Sequence, residues 1–155
     1  LFLLGHEPMF PNDGHVGDAM WYHGGDPDKN GGIDRTYVVE RRDEIWEAFV
    51  ATGKARAALF ADEHNYSRTW IDTNVNPRYA RPTWQIISGG AGAPFHALNP
   101  EVPWAGQVRA HSVQIHYLLF EVNGPAIQME AISSTGEIID RVDLAVYRPG
   151  EGVSP

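Results

Sequence analysis

Residues 55–65 read ARAALFADEHN, in which a short apolar run is followed at once by acidic, histidine and asparagine side chains. A run of this length that begins after Gly53 and ends in a polar cluster is typical of a strand that leads into a loop at its carboxyl end. Just before it, residues 42–50 place apolar side chains at helical spacing behind an acidic first turn, and Gly53 is a natural helix terminator. We therefore predict a helix over residues 42–50 and a strand over residues 55–60.

The first 36 residues divide into an apolar start and a long irregular stretch. Residues 1–4 (LFLL) have the pattern of a buried strand, whereas residues 5–36 hold many glycines, prolines, asparagines and aspartates with no sustained period. We predict a strand followed by a long loop, so that strand, loop, helix and strand follow one another in an α/β order. Because the chain begins with Leu1 rather than Met, we also expect it to be a fragment of a longer protein.

The second half of the chain is dominated by extended runs. Residues 84–88 form one run, which ends in the glycine-rich turn GGAGAP at residues 89–94. Three further runs follow at residues 113–122, 126–132 and 138–147, joined by Asn123-Gly124 and Thr135-Gly136. Asn-Gly between alternating apolar runs is a strong hairpin signal, so these runs predict a C-terminal antiparallel β-meander. We expect residues 148–155 to be a flexible tail.

Length and composition restrict the function classes. A chain of 155 residues has room for one domain, and its 43% apolar and 21% charged residues are near the average for globular proteins. Twelve basic against twenty acidic residues give a net charge of −8, which repels phosphate backbones, so we expect no nucleic-acid groove. The absence of cysteine excludes a thiolate nucleophile and a cysteine-type zinc site. No apolar run approaches the roughly 18–20 residues of a membrane span.

Two of the seven histidines, His6 and His64, follow apolar strands. The carboxyl ends of strands are where α/β folds keep their functional sites, and neutral imidazole is a common metal ligand. Two such histidines could therefore meet at one metal ion together with a carboxylate. Each could equally be a capped or solvated side chain, and the spacing alone leaves both interpretations open.

Five blocks, taken together and in this order, resemble the carboxyl-terminal half of a calcineurin-like metallophosphoesterase, closest to the purple-acid-phosphatase-like bacterial branch. The blocks are GHEP at residues 5–8, HVGD at residues 15–18, the helix at residues 42–50, ADEHNYSR at residues 61–68 and SGGAGAP at residues 88–94. The resemblance implies a β-sandwich flanked by helices. It also implies that residues 1–147 are the C-terminal portion of one domain whose N-terminal half is absent.

The resemblance assigns roles to four side chains at a metal site. His6 corresponds to a ligand of the second metal, and His64 to a ligand of the first. Asp62 stands where the family has the first histidine of a Gly-His-x-His motif, and it would either bind a metal directly or hold a metal-bound water or a ligand histidine. His15 lies nine residues beyond His6, where related phosphatases have a histidine that faces the phosphate or protonates the leaving oxygen. A solvated loop histidine is the alternative for His15.

Other motif residues have less definite roles. Asn65, Tyr66 and Arg68 would hold the substrate or the metal loop, although packing or a salt bridge beneath the loop would explain them equally well. The glycine-rich turn at residues 89–94 lacks the Lys-Ser/Thr of a phosphate-binding P-loop. We predict instead that its small residues let a strand end pass close beneath the metal loop. We expect His111 and His116 to lie in the meander as ordinary sheet residues.

The function that this resemblance implies is metal-dependent hydrolysis of a phosphate ester by a dinuclear-metal phosphatase. The cofactors would be two divalent or trivalent ions, such as Mn, Fe, Zn or Mg. The family draws a bridging Asp and an Asn from its N-terminal half, so we expect no dinuclear turnover without that half or a companion chain. An exposed strand edge could also let the chain oligomerise. Secreted or periplasmic members exist in the family, but the sequence does not define a compartment. The alternative is a non-catalytic, β-rich assembly module built on a phosphoesterase scaffold.

Overall fold

The structure is a computed structural model that describes residues 1–17, 19–23 and 36–146. Its elements, in chain order, are β1 Phe2–Leu4, α1 Met20–His23, α2 Thr36–Ala51, β2 Ala57–Phe60, β3 Tyr66–Ile71, β4 Thr83–Ser88, a 3-10 helix Ala105–Gln107, β5 Val108–Ser112, β6 His116–Asn123, β7 Ala126–Ser133 and β8 Ile138–Asp143. The predicted tail and residues 24–35 of the predicted loop lie outside the described residues.

Five strands form a mixed sheet in the order β1-β2-β4-β3-β5. β1, β2 and β4 are parallel, whereas β3 runs antiparallel to its neighbours β4 and β5. Parallel strands need a crossover connection, and α2 lies between β1 and β2 in the chain. The carboxyl ends of β1, β2 and β4 consequently meet at one end of the sheet.

The first predicted strand, β1, is an edge strand of this sheet rather than a central one. Among the described residues β1 pairs only with β2, with Leu3 opposite Ala58. The other edge of β1 has no strand partner among the described residues, and the Leu4 side chain is 72% exposed. The predicted burial is therefore wrong, because an apolar run does not reveal whether a strand has one neighbour or two.

The predicted meander is confirmed as a separate three-stranded antiparallel sheet in the order β6-β7-β8. Its two turns contain Gly124, at φ 58°, and Gly136, at φ 87°, which is the left-handed backbone region that glycine enters without steric cost. β6 begins at His116, three residues later than the predicted run, and β8 ends at Asp143.

Two apolar clusters hold three layers together. One cluster lies between the mixed sheet and the meander, and it includes Tyr66, Trp84 and Met129. The other lies on the opposite face of the mixed sheet, where Trp46 and Phe49 of α2 pack. The predicted mixed α/β class, with a sandwich flanked by helix and a C-terminal meander, is thereby confirmed.

Several boundaries differ from the prediction. α2 begins at Thr36 rather than residue 42 and ends as predicted before Gly53, whose φ is 66°. The short helix α1 falls within the predicted loop, and β3 and β5 were not predicted at all. β3 is buried at every position, so its sequence lacks the alternation of apolar and polar residues that indicates a half-exposed strand. It also lacks a continuous apolar run, because serine, arginine and threonine occupy its middle. Within the described ranges, no helix is long and apolar enough to cross a membrane.

Candidate metal centre

The loops after β1 and β2 lie side by side and bring His6 and Asp62 into contact. The amide of Gly5 donates to the Leu59 carbonyl at 3.1 Å, and the amide of Ala61 donates to the His6 carbonyl at 2.9 Å. His6 Nε2 is then 3.3 Å from Asp62 Oδ1. The His6 side chain is 79% exposed and that of Asp62 is 30% exposed, so the pair faces solvent at the carboxyl ends of the strands.

Asp62 sits on a strained backbone. Its φ of 62° makes it the only non-glycine residue with a positive φ in the described part of the chain. A non-glycine residue in this region costs of order 1–3 kcal/mol, and such strain concentrates at functional sites. The sharp turn immediately after β2 lets Asp62 face His6.

A second group of possible ligands lies nearby. His15, His64 and His96 each offer a ring nitrogen, and these three atoms lie within 4.8 Å of one another. The ring centroids are 5.0 Å apart for His15 and His64, 5.6 Å for His15 and His96, and 5.3 Å for His64 and His96. We refer to these three residues as the histidine cluster. It is the only such group of three or more potential ligands found among the residues described.

A buried polar network fixes the loop that carries His15. The Glu63 carboxylate accepts the amide of Asn12 at 2.7 and 2.8 Å and the amide of Asp13 at 2.9 Å. Asn65 Nδ2 donates to Asp13 Oδ2 at 2.9 Å, and Asp13 Oδ1 accepts the amide of His15 at 3.1 Å. The loop around residue 13 is therefore fastened to the turn between β2 and β3.

Two carboxyl groups share this buried space. Burial, with the nearby charge of Asp13, raises the pKa of Glu63 from 4.5 to about 8, although the amides of Asp13 and Asn12 oppose the shift. A protonated, neutral Glu63 avoids the repulsion of two adjacent carboxylates.

The glycine-rich turn passes directly beneath the β2–β3 loop. A Cβ atom on Gly89 would lie 1.9 Å from the Glu63 carbonyl oxygen, and the Gly89 amide donates to the Asn65 carbonyl at 3.0 Å. No residue with a side chain fits at this position. The prediction that a small residue permits a close pass of the strand end is thus confirmed at Gly89.

Tyr66 and Arg68 point into the space between the two sheets. Arg68 donates to Asp140 from Nε at 2.6 Å and from Nη2 at 3.1 Å, and its guanidinium lies 4.3 Å from the Trp84 ring centroid. Burial and Asp140 raise the pKa of Tyr66, so its hydroxyl stays protonated and donates to Asp140 Oδ2 at 2.5 Å. Asn65 is fully buried and bound to Asp13.

The structure thus brings together some of the predicted site residues. His6 contacts Asp62, while His64 groups with His15 and His96. The polar groups of Asn65, Tyr66 and Arg68 are engaged by protein partners, and their role in substrate binding stays a prediction.

Sequence reasoning missed His96 as a site residue. It placed His116 correctly in the meander, whereas His111 lies in β5 of the mixed sheet, because the meander begins only at His116. His96 lies in an aperiodic stretch, where only its residue type could have drawn attention to it.

Comparisons with known proteins support the fold. No protein-family model matches the chain, and no curated protein matches it in sequence. The structure of purple acid phosphatase PPD1 from yellow lupin (Lupinus luteus) seeds matches all of this chain with a TM-score of 0.60 at 16% identity. GAP50, described as the anchor in the inner membrane complex of Plasmodium, matches 96% of it with a TM-score of 0.54 at 13% identity.

These similarities establish a shared fold. The chain spans 28% of the length of the lupin phosphatase chain and 38% of the GAP50 chain. The mixed architecture is therefore shared with part of each of these two proteins, at identities that leave the chemistry to be argued from the residues themselves.

Proposed function

We propose that this chain is part of a metal-dependent phosphoric ester hydrolase, in which His6, Asp62 and His64 bind metal. The observation that carries the proposal is the contact of 3.3 Å between His6 and Asp62 at the carboxyl ends of parallel strands, within a phosphatase-like fold. An imidazole and a carboxylate this close, both open to solvent, can bind one cation between them.

The described residues supply some of the ligands that a dinuclear metal site would need. His6 Nε2 and Asp62 Oδ1 are accessible donors, and His64 supplies a further imidazole. The bridging aspartate and the asparagine of a complete dinuclear site would have to come from outside these residues. Bound metal ions would supply charge neutralisation and an activated water for attack on phosphorus.

The residues of this chain would provide binding and proton transfer around that centre. His15, whose ring centroid lies 5.0 Å from that of His64, would donate a proton to the leaving oxygen. Asn65 would hold the loop around residue 13 in place, and Tyr66 and Arg68 would fix the meander against the mixed sheet through Asp140. The net charge of −8 would not prevent an anionic ester from binding, because distant surface charge is screened beyond about 8–10 Å.

The test compares residues 1–155 with the product of the complete open reading frame that encodes them. With Mn²⁺ or Fe added, we expect hydrolysis of p-nitrophenyl phosphate by the complete product and none by residues 1–155 alone. In the complete product, His6→Asn and Asp62→Asn should each lower kcat/KM at least about tenfold, since even indirect metal contacts are worth about 10–100-fold.

Asp143→Asn is the matched control, because Asp143 is exposed and lies on β8 of the meander, away from His6 and Asp62. Its side chain accepts a hydrogen bond from Gln128 on the neighbouring strand β7. The substitution should leave kcat/KM unchanged. A complete product that binds metal and hydrolyses no ester would contradict the hydrolase proposal.

The second candidate is a non-catalytic assembly module. It is favoured by β6, on which Tyr117 and Leu119 are 54% and 51% exposed on the face away from the mixed sheet, and Val122 near the strand end is 63% exposed. The described function of GAP50 as an anchor suggests that such a scaffold can serve assembly. Concentration-dependent association of a metal-free chain that is abolished by Leu119→Lys would favour this candidate.

A further inference from the structure

We propose that the histidine cluster binds one divalent cation of the borderline class, with Zn²⁺ as the probe, through one nitrogen each of His15, His64 and His96. The inference requires only residues of this chain. The site shares His64 with the metal site proposed above, whose other ligands are His6 and Asp62, and His15 and His96 distinguish the two.

The spacing of the three nitrogens is close to that of a three-histidine metal site. Zn–N bonds of about 2.0–2.1 Å in a tetrahedral arrangement place ligand nitrogens about 3.3 Å apart. The three atoms already lie within 4.8 Å of one another, so small ring rotations would complete the geometry. All three residues are half-buried. A water would be the fourth ligand of a tetrahedral site.

The hydrogen bond of His64 leaves one nitrogen free to bind. His64 Nδ1 lies 2.8 Å from the Pro94 carbonyl oxygen. A carbonyl can only accept, so Nδ1 must carry the proton, and the nitrogen that would bind the metal is Nε2. Ligand histidines commonly make a hydrogen bond of this kind, which fixes the tautomer and the ring orientation.

Backbone contacts join the three loops that carry the cluster. The amide of Asn99 donates to the Asn12 carbonyl at 2.7 Å, which holds the loop of His96 against the loop of His15. The Glu63 carboxylate holds the Asn12 and Asp13 amides, which connects the loop of His15 to the segment that ends in His64. Because these loops are already held together, little conformational entropy is lost when the ligands bind an ion.

The His96 ring packs against the backbone of Gly14. A Cβ atom at this position would lie 2.5 Å from His96 Nδ1 and 2.6 Å from its Cγ. Glycine therefore lets the ring lie directly against the backbone next to His15. This contact offers a way to disturb the cluster without removing a ligand.

The donor set determines the class of cation. Three neutral imidazoles suit Zn²⁺, Cu²⁺ and Ni²⁺, whereas Mg²⁺ and Ca²⁺ prefer oxygen ligands. The Asp13 carboxylate, bonded to the His15 amide, adds a compensating negative charge behind the cluster.

The two proposals use His15 differently. In the hydrolase proposal His15 faces the phosphate, whereas here it is a ligand. A test that measures metal binding without an activity assay therefore separates them.

The experiment is calorimetric titration of the intact chain with Zn²⁺, with Mg²⁺ as the contrasting ion. We expect one Zn²⁺ per chain and at least tenfold weaker binding of Mg²⁺. His96→Gln and Gly14→Ala should each weaken Zn²⁺ binding at least about tenfold, by the loss of a ligand and by displacement of its ring. His111→Gln, at a half-buried histidine of β5 outside the cluster, is the matched control and should leave Zn²⁺ affinity within about twofold.

Imidazole ¹⁵N spectra provide a second readout that does not depend on affinity. Zn²⁺ should shift one nitrogen in each of His15, His64 and His96, and His64 Nδ1 should stay protonated. Amide spectra of each variant without metal would establish that it is folded. Zn²⁺ affinity that is unchanged in folded His96→Gln, or lost in folded His111→Gln, would overturn the proposal.

Discussion

Asp140 accepts hydrogen bonds from both Tyr66 and Arg68, although it lies on the other sheet and 72 residues beyond Arg68. The Asp140 side chain is 12% exposed and that of Arg68 is 10% exposed, so the ion pair is buried. Sequence motifs suggested a substrate or loop role for Arg68, but they could not reveal a partner so far along the chain. Residue type indicates which groups can bond, and only the fold determines with which partner.

Replacing Asp140 by Asn should destabilise the fold strongly. The change leaves the Arg68 guanidinium buried without its counter-charge, and removal of one partner of a buried ion pair typically costs about 3–5 kcal/mol. Urea denaturation at neutral pH measures the effect. Asp143→Asn on the same strand is exposed and should change the free energy of unfolding by less than about 0.5 kcal/mol. Equal effects of the two substitutions would contradict this account of the ion pair.

The same carboxyl group should contribute to acid sensitivity. Desolvation acts to raise the pKa of Asp140, but the hydrogen bonds from Arg68 and Tyr66 outweigh it and lower the pKa below 3.8. A carboxyl with a lower pKa in the folded state stabilises the fold above its unfolded pKa, and this stabilisation is lost as pH falls through the folded value. The free energy of unfolding should therefore fall below about pH 4.

Urea titrations at a series of pH values would check this dependence. Asp140→Asn should show a shallower decrease below about pH 4 than the unmodified protein. Identical slopes for the two proteins would exclude Asp140 as a contributor.

At the level of strands and turns, Gly89 determines how β4 can end beneath the β2–β3 loop. A Cβ atom there would meet the Glu63 carbonyl oxygen at 1.9 Å, and a backbone atom cannot rotate away as a side chain can. Gly89→Ala should lower the free energy of unfolding by about 1–3 kcal/mol or more, because the loop or the strand end must shift.

Gly106→Ala is the matched control for this substitution. A Cβ atom on Gly106 would meet nothing within 4 Å, so the change should be within about 1 kcal/mol of neutral. Chemical denaturation compares the two variants. A neutral Gly89→Ala would show that the close pass is not required.

Local signals predicted the elements whose geometry is itself local. The hairpin at Asn123-Gly124 and the end of α2 at Gly53 depend on glycines with positive φ, and both were predicted correctly. β3 was missed because its burial on both faces is created by neighbours distant in sequence. Parallel strand ends explain why the loops of His6 and Asp62 meet, but they did not indicate that His64 would group with His15 and His96, because that grouping depends on contacts between loops.

The whole chain should become more stable when the histidine cluster is occupied. A ligand that binds only the folded state adds RT ln(1 + [L]/Kd), which is about 2.7 kcal/mol at a hundredfold excess over Kd. The ligands come from three separate loops, so an unfolded chain cannot present them together and binding should favour the folded state. Urea denaturation with free Zn²⁺ buffered at that excess should show this gain, and His96→Gln should lose most of it at the same free Zn²⁺. Mg²⁺ should give no gain at that concentration. An equal Zn²⁺ gain in His96→Gln would place the stabilising ion elsewhere, with His6→Asn then identifying whether it lies beside Asp62.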